Sequence, residues 1–270
     1  VIMGANIGTT TTAILVSLGH VTRPAEFKRA FAASTVHDFF NVLSAFTILP
    51  LELLFHPVER MAVALQGVFA DLGGMKLASP LKLIVAPPAD LLAGWMPSTI
   101  PLVILALAGL FFALRQMMKV MRGAVLTRLE TLFDRVLFRN DAASFALGMV
   151  TTATVQSSSA TTSLAIPLAG TGVLTIRQIY PYTLGANVGT TVTAILASLS
   201  TGSAAAVTIA LAHLCFNILG IAIYYPLKAL PIWLATKAGE FAARSGRNAV
   251  TVVAVFLCTI ILPLLYIIFL

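Results

Sequence analysis

Charged side chains are scarce in this sequence. Asp, Glu, Lys and Arg make up 10% of its 270 residues, whereas 59% are apolar, and the mean hydropathy is +0.96. Because a soluble domain carries about a quarter of its residues as charged side chains, this chain cannot cover itself with a hydrated surface. The composition excludes a water-soluble domain and predicts an all-α polytopic membrane protein, with the lipid bilayer as its solvent.

Cysteine and the usual start signals are also missing or rare. The two cysteines, Cys215 and Cys258, lie in apolar runs whose spacing offers neither a disulfide framework nor a zinc site, so we expect no bound cofactor. The sequence has no initiator methionine, charged leader or cleavage pattern and opens inside an apolar segment. We therefore expect the natural N-terminus to lie upstream of Val1.

The basic residues are concentrated in a few stretches. The net charge of +7 could suggest a nucleic-acid partner, but most of the excess falls within 19–29, 115–140 and 227–247, whereas 55–97 carries few basic residues. This is the asymmetry of cytoplasmic against external loops. It indicates orientation in a membrane and excludes nucleic acid as the partner.

Apolar runs of about 20 residues can span a bilayer. They are predicted at 30–50, 98–118, 204–226 and 248–270. Two further segments, 141–172 and 175–199, are apolar but interrupted by Gly, Pro, Ser and Thr. Residues 122–138 predict a helix on the membrane surface, and the Pro-rich stretch 80–101 predicts a connection.

An internal repeat organises the chain. Residues 4–18 (GANIGTTTTAILVSL) and 185–199 (GANVGTTVTAILASL) are identical at 12 of 15 positions. Four later residues also recur at one fixed offset: His37, Phe40, Asn41 and Pro50 are matched by His213, Phe216, Asn217 and Pro226. The repeat therefore covers a segment and the helix that follows it.

The charge distribution predicts that the two copies run in opposite directions. With the basic stretches inside the cell, 4–18 runs inward and 185–199 runs outward, which is the inverted-topology repeat of many secondary transporters. The predicted organisation is a first repeat at 1–118, a cytoplasmic connector at 119–140 and a second repeat at 141–270. Broken transmembrane helices and a re-entrant helical hairpin at 141–172 complete the predicted fold.

A hydroxyl-rich run marks the first candidate site. Residues 151–163 read TTATVQSSSATTS, which suits a membrane only where it faces protein or water. A hairpin tip here would expose the N–H groups at the start of a helix from Ala160 to Ala169, and helix N-termini of this kind bind anions. The candidate anion-binding residues are Gln156, Ser157, Ser158 and Ser159.

The repeated segments supply a second candidate site. We expect helix breaks at Gly4 and Gly185, and oxygen ligands for a hard cation such as sodium. The candidate ligands are Asn6, Thr9, Thr10, Asn187, Thr190 and Thr191. For any single threonine the alternative stays open that it bonds across a helix interface. Because the core helices contain no Lys or Arg, an anion bound there would be stabilised by a neighbouring cation, which would couple the two ligands.

Two ionisable residues lie within an apolar run. His37 and Asp38 are functional candidates by default, but a structural role is favoured for Asp38, and His213 is followed by Leu214 instead. Asn41 and Asn217 are interpreted as packing residues.

These motifs together resemble the type II sodium–phosphate cotransporter family, and specifically its bacterial members. The resemblance rests on QSSSATTS at 156–163, GANVGTT at 185–191, GANIGTT at 4–10 and TVHDFFN at 35–41. It implies a sodium-coupled phosphate symporter working by alternating access, not an enzyme. In that family two QSSS motifs at hairpin tips are associated with phosphate and sodium, which adds Gln156 and Ser157 to the expected sodium ligands. The partner motif would precede Val1.

Other readings remain open from the residues alone. The substrate could be sulfate or a dicarboxylate, and the direction of transport could be export. A different class is an intramembrane serine hydrolase, with Ser158 as nucleophile and His37 or His213 as base, although no GxSxG elbow surrounds the serine. The oligomeric state is also open, and a homo-oligomer is compatible with the sequence.

Overall fold

The computed structural model describes residues 2–9, 11–69, 138–201 and 203–252, with isolated positions between 87 and 116 and between 254 and 258. Several predicted segments lie largely outside these residues: the spans at 98–118 and 248–270, the surface helix at 122–138 and the connection at 80–101. The predicted domain boundaries at 118 and 140 are likewise not tested by the described part of the chain.

Every secondary-structure element in the described ranges is a helix, which confirms the all-α prediction. Those with defined bounds are, in chain order, α1 (Ile2–Gly8), α2 (Thr11–Ser17), a short 3-10 turn (Leu18–His20), α3 (Pro24–Phe55), α4 (Pro57–Phe69), α5 (Asp141–Val155), α6 (Ser158–Thr171), α7 (Ile176–Thr201), α8 (Ala204–Tyr224) and α9 (Ala229–Ala242). Residues 246–252 are also helical. Helix α3 extends the predicted span at 30–50 at both ends and passes through Pro50.

Three described segments are long and apolar enough to cross a membrane. They are Ile2–His20, Pro24–Phe55 and Ala204–Tyr224, with mean hydropathies of 1.2, 1.5 and 2.1. Large apolar side chains also face outward, with Phe46 78% and Leu54 71% exposed. Such a surface is stable when lipid covers it, so the chain is a helical membrane protein.

Glycines bring α5 and α7 into backbone contact. A Cβ added to Gly185 would overlap the Phe145 carbonyl, and one on Gly189 would lie 2.6 Å from the Met149 carbonyl oxygen. The contacts advance together along both helices, so α5 and α7 run parallel, and α6 between them returns in the opposite direction. Small residues of this kind allow close helix packing in a membrane.

The predicted helix break at Gly185 is wrong. Helix α7 is continuous from Ile176 to Thr201, because Gly185 serves the close approach to α5 and does not turn the chain. The first copy of the repeat is interrupted, but at a different place from the predicted Gly4. There α1 ends at Gly8 and α2 begins at Thr11. The same motif therefore adopts two backbone conformations.

Helices α3 and α8 cross in opposite directions. The Phe40 ring lies edge-on to Tyr224, with centroids 6.5 Å apart, and Gly220 lies opposite Ser44. Further along α3, Ile48 shares a hydrophobic cluster with Phe216. Successive contacts thus run towards the C-terminus of α3 and towards the N-terminus of α8, so the two helices are antiparallel. The crossing positions the polar groups described next.

Candidate anion and cation sites

The hydroxyl-rich run forms a tight turn between α5 and α6. Gln156 ends α5 in the left-handed conformation (φ 57°, ψ 32°), and Ser157 is extended. The Ser157 Oγ accepts a hydrogen bond from the Ala160 N–H at 3.2 Å, as an N-cap serine does. Helix α6 therefore begins at Ser158, two residues earlier than predicted from the sequence, and ends at Thr171 rather than Ala169.

The two ends of α6 differ in charge. At its C-terminus, Arg29 donates hydrogen bonds from Nε and Nη2 to the Gly170 carbonyl, at 3.0 and 2.7 Å. This arginine satisfies and neutralises the negative end of the helix dipole. The N-terminus at Ser158 has no basic residue in α5 or α6 to compete for an anion. Its partial positive charge is available to a ligand.

The hairpin turn is joined to the break in the first repeat. The Ser159 Oγ donates to the Thr9 carbonyl at 2.9 Å, across 150 residues of sequence. The Thr9 hydroxyl in turn donates to the Asn6 carbonyl at 2.9 Å. The structure thus brings together parts of both candidate sites. Thr10, also a predicted sodium ligand, lies outside the described residues.

The threonines of the second repeat lie near the same turn. Gly189 packs against Thr152, one helical turn before Gln156, so Thr190 and Thr191 belong to the turn of α7 that lies near the end of α5. Their hydroxyls donate to carbonyls of their own helix, those of Ala186 and Val188, at 3.0 and 2.6 Å. A hydroxyl that donates its proton in this way keeps its oxygen lone pairs for a cation. Among the described residues no hydrogen bond links them to Gln156.

The repeated asparagines are buried at the crossing of α3 and α8. Asn6 is 3% exposed and Asn187 2% exposed. Their amide oxygens lie 2.6 Å from the Nε2 atoms of His213 and His37, respectively. Asn41 and Asn217 complete the cluster, so the interpretation of these two as packing residues understates them. The signal in the sequence is that both histidines and both later asparagines recur at the repeat offset.

An ion pair ties the start of the hairpin to the end of α8. Lys228 Nζ lies 2.5 Å from Asp141 Oδ2, and the Tyr225 hydroxyl donates to the same oxygen at 2.9 Å. The hydrogen bond from Lys228 holds the pKa of Asp141 below its usual value of 3.8, and the same bond raises the pKa of Lys228. The pair lies at a surface and fixes the entry of α5.

One group in the described ranges has the ligand types of a metal site. Glu52, His56 and Glu59 bring their ligand atoms within 4.8 Å of one another. The Glu52 carboxylate, however, already accepts from the backbone N–H groups of Val58 and Glu59 at 2.7 and 3.1 Å. It caps the first turn of α4, so this cluster is explained by the sharp turn between α3 and α4.

The geometry offers no support for the serine hydrolase reading. The Nε2 atoms of His37 and His213 both face asparagine oxygens, and Ser158 is 6% exposed. A nucleophilic serine requires a base within hydrogen-bond distance and access to substrate.

Comparison with known proteins identifies a matching family and several relatives. The family described as Na+/Pi-cotransporter matches residues 110–227. Sodium-dependent phosphate transport protein 2B of Homo sapiens is 31% identical over 353 residues, covering 95% of this chain and 51% of the relative. Protein 2A of Ovis aries is 31% identical over 346 residues, covering 97% and 53%.

The chain spans about half the length of the curated relatives it matches. No solved structure matches it. The family match falls on the hairpin, the second repeat and α8, and the relatives align across nearly the whole sequence. The chain is thus similar to the Na+/Pi-cotransporter family over residues 110–227, and to sodium-dependent phosphate transport proteins over nearly its whole length.

Proposed function

We propose that this chain is part of a sodium-coupled symporter of inorganic phosphate that works by alternating access. The observation that carries the proposal is the contact between Ser159 and the Thr9 carbonyl, which joins the anion-binding type of helix terminus to the break in the first sodium motif. The relatives of this chain are named sodium-dependent phosphate transport proteins. The chemistry is transport, not enzymatic turnover.

The proposed phosphate site is the turn at Gln156, Ser157, Ser158 and Ser159. The N–H groups at the start of α6 and the positive end of its dipole favour an oxyanion, and the hydroxyls and the amide can donate to its oxygens. At the opposite end of α6, Arg29 donates to the Gly170 carbonyl and so offsets the negative end of the helix dipole. No lysine or arginine of α5 or α6 adds a fixed charge.

The proposed sodium sites use oxygens near that turn. Thr9, Thr190 and Thr191 donate their protons to helix carbonyls and keep their lone pairs free. The other proposed ligands are Thr10, Gln156, Ser157, Asn6 and Asn187. Each asparagine oxygen accepts one hydrogen bond from histidine and retains a second lone pair. Sodium bound there offsets the charge of phosphate, so each ligand raises the affinity of the other.

The helix geometry supports inverted repeats with a re-entrant hairpin. Helices α3 and α8, which are counterparts in the repeat, cross in opposite directions around Ser44 and Gly220. Helix α5 has 15 residues and α6 has 14. A helix of that length is about 22 Å long, too short for a hydrocarbon core of about 30 Å. A hairpin that enters and leaves on one side fits these lengths.

The specific membrane and the anion follow from the same proposal. We place the protein in the plasma membrane or the bacterial inner membrane, with its basic stretches on the cytoplasmic side. A helix terminus lined with hydroxyls can also hold sulfate or a carboxylate, so those anions are the competitors to test.

Uptake of labelled phosphate into proteoliposomes tests the proposal. The full-length protein should accumulate phosphate under an inward sodium gradient but not under an equal potassium gradient, and Gln156→Ala should abolish the accumulation. Excess unlabelled phosphate should compete, whereas sulfate and succinate should not. Accumulation that ignores sodium, or that sulfate suppresses as well as phosphate does, would refute the proposed substrate and coupling.

A further inference from the structure

We propose that His37 and His213 are positioning residues, each of which fixes the amide of the asparagine in the opposite repeat. His213 acts on Asn6, and His37 acts on Asn187. The functional part of this inference rests on the proposed sodium role of the two asparagines. The structural part rests only on the direction of six hydrogen bonds.

The first three bonds have only one possible direction. The Asn187 backbone carbonyl can only accept, so Asn217 presents Nδ2 to it, at 3.2 Å. The Asn217 Oδ1 then faces the Asn6 Nδ2, at 2.7 Å. Asn6 therefore directs its Oδ1 at His213 Nε2, 2.6 Å away. Because an amide oxygen cannot donate, His213 must carry its proton on Nε2.

The other three bonds have a fixed direction for the same reason, with the roles of the two repeats exchanged. The Asn6 backbone carbonyl accepts from Asn41 Nδ2 at 2.9 Å. The Asn41 Oδ1 accepts from Asn187 Nδ2 at 2.9 Å, which leaves Asn187 Oδ1 facing His37 Nε2 at 2.6 Å. His37 must also be protonated on Nε2. The six bonds thus link four asparagines and two histidines from both copies of the repeat.

The other ring nitrogen of His37 supports the same assignment. His37 Nδ1 is buried and has no hydrogen-bond partner among the described residues. A buried N–H without an acceptor is rarer in native structures than an under-satisfied acceptor, so a bare Nδ1 is the favoured form. The proton therefore resides on Nε2, where Asn187 Oδ1 accepts it.

This network makes each sodium motif depend on the other repeat. If His213 could not donate, Asn6 Oδ1 would lose its hydrogen-bond partner. A flip of the Asn6 amide would then place its oxygen against Asn217 Oδ1, and a flip of Asn217 as well would turn its Nδ2 away from the Asn187 carbonyl. Since these groups are buried, water cannot replace the missing bond at low cost. Each histidine therefore fixes the orientation of its partner asparagine amide. One lone pair of each amide oxygen is then left for a cation.

Solid-state NMR of the full-length protein with ¹⁵N-labelled histidine tests the assignment without any transport measurement. His37→Gln and His213→Gln variants identify the two signals by their loss. We expect both rings to be neutral with the proton on Nε2, each coupled through space to an asparagine side chain. A proton on Nδ1 of either ring would overturn the proposal, whatever the protein transports.

Sodium dependence of phosphate uptake tests the positioning role. His213→Leu should raise the sodium concentration for half-maximal uptake about tenfold or more, because a buried acceptor is left unpaired. His213→Gln retains a donor at a similar reach and should keep that concentration within about threefold. Asn6→Asp cannot donate to Asn217 and should behave like His213→Leu, and the double variant should be no worse than either.

The two tests distinguish a failure of the positioning role from a failure of the proposed function. An unchanged sodium dependence in His213→Leu, or equal losses in the Leu and Gln variants, would overturn the positioning role. If the wild-type protein showed no sodium-dependent phosphate uptake while both histidines carried their protons on Nε2, the proposed function would fail and the hydrogen-bond assignment would stand.

Discussion

Ser44 and Gly220 lie opposite each other where α3 crosses α8, and they are separated by the same sequence offset as His37 and His213. Equivalent residues of two inverted copies face each other only near the axis that would relate the copies. The contact therefore supports the proposed inverted repeat, with the crossing at its centre and the asparagine network built from the same helices.

Close packing at this centre predicts that Gly220→Ala is destabilising. The added Cβ would lie 2.7 Å from Ser44 Oγ and 3.2 Å from the Phe40 ring. We expect the free energy of unfolding to fall by about 1–3 kcal/mol, as for other overpacked cores. Thermal denaturation in detergent measures this change. Gly67→Ala, whose Cβ would meet no described atom within 4 Å, is the control and should be neutral or slightly stabilising.

The left-handed backbone of Gln156 allows its amide to be tested separately from its conformation. Glycine adopts φ 57° without strain, so Gln156→Gly removes the amide and keeps the turn. We expect Gln156→Gly to lose phosphate affinity but to melt at or above the wild-type temperature. Gln156→Ala should lose the same affinity but keep the backbone strain of the wild type, so it should be about 1 kcal/mol less stable than Gln156→Gly. Equal phosphate affinity in Gln156→Gly and wild type would exclude the amide as a ligand.

The bond from Ser159 to the Thr9 carbonyl predicts a coupling effect. Ser159→Ala leaves that carbonyl without its donor and releases the hairpin turn from the end of α1. We expect a weaker response of phosphate affinity to sodium, by roughly fivefold to tenfold, measured as the ratio of phosphate affinities with and without sodium. Ser163→Ala, further along α6, is the matched control. An unchanged ratio in Ser159→Ala would show that this contact is only structural.

The ion pair between Asp141 and Lys228 predicts a dependence of stability on pH. The pKa of Asp141 is lowered, so its contribution is complete above 3.8 and is lost as the pH falls through the lower folded value. The pKa of Lys228 is raised, so its contribution is complete below 10.5 and is lost as the pH rises through the higher folded value. Since both side chains are partly exposed, Asp141→Asn should cost at most about 1 kcal/mol at pH 7.

Thermal denaturation from acid to neutral pH measures this contribution. The melting temperatures of wild type and Asp141→Asn should converge at acid pH and separate towards neutrality. In a Lys228→Met background the Asp141→Asn substitution should cost less at pH 7 than in the wild type, because only the bond from Tyr225 and the α5 dipole then favour the carboxylate. A difference that persists at acid pH would assign the effect to something other than this pair.

Composition predicted the helical membrane architecture correctly. The scarcity of charge specified a helical membrane protein, and the run at 156–159 located the turn between α5 and α6. These signals are local, so a single sequence carries them. The resemblance seen in QSSS and the two GAN-GTT segments agrees with the family found by comparison.

The sequence could not distinguish the two conformations of the repeated motif. The same motif continues a helix through Gly189 but ends a helix at the equivalent Gly8, because tertiary packing, not the motif itself, decides between the two conformations. The backbone of α5 occupies the space that a Cβ on Gly185 would need. A Cβ on Gly4 or Gly8, in contrast, would meet no described atom within 4 Å. The roles of His37 and His213 also depend on partners 150 or more residues away, which no local pattern specifies.

The most direct test of the central claim is phosphate binding to the purified full-length protein in sodium and in potassium buffer of equal ionic strength. Sodium should raise phosphate affinity by about tenfold or more, phosphate should raise sodium affinity by the same factor, and both effects should vanish in Gln156→Gly. Full phosphate affinity in the absence of sodium would show that the two ligands are not coupled.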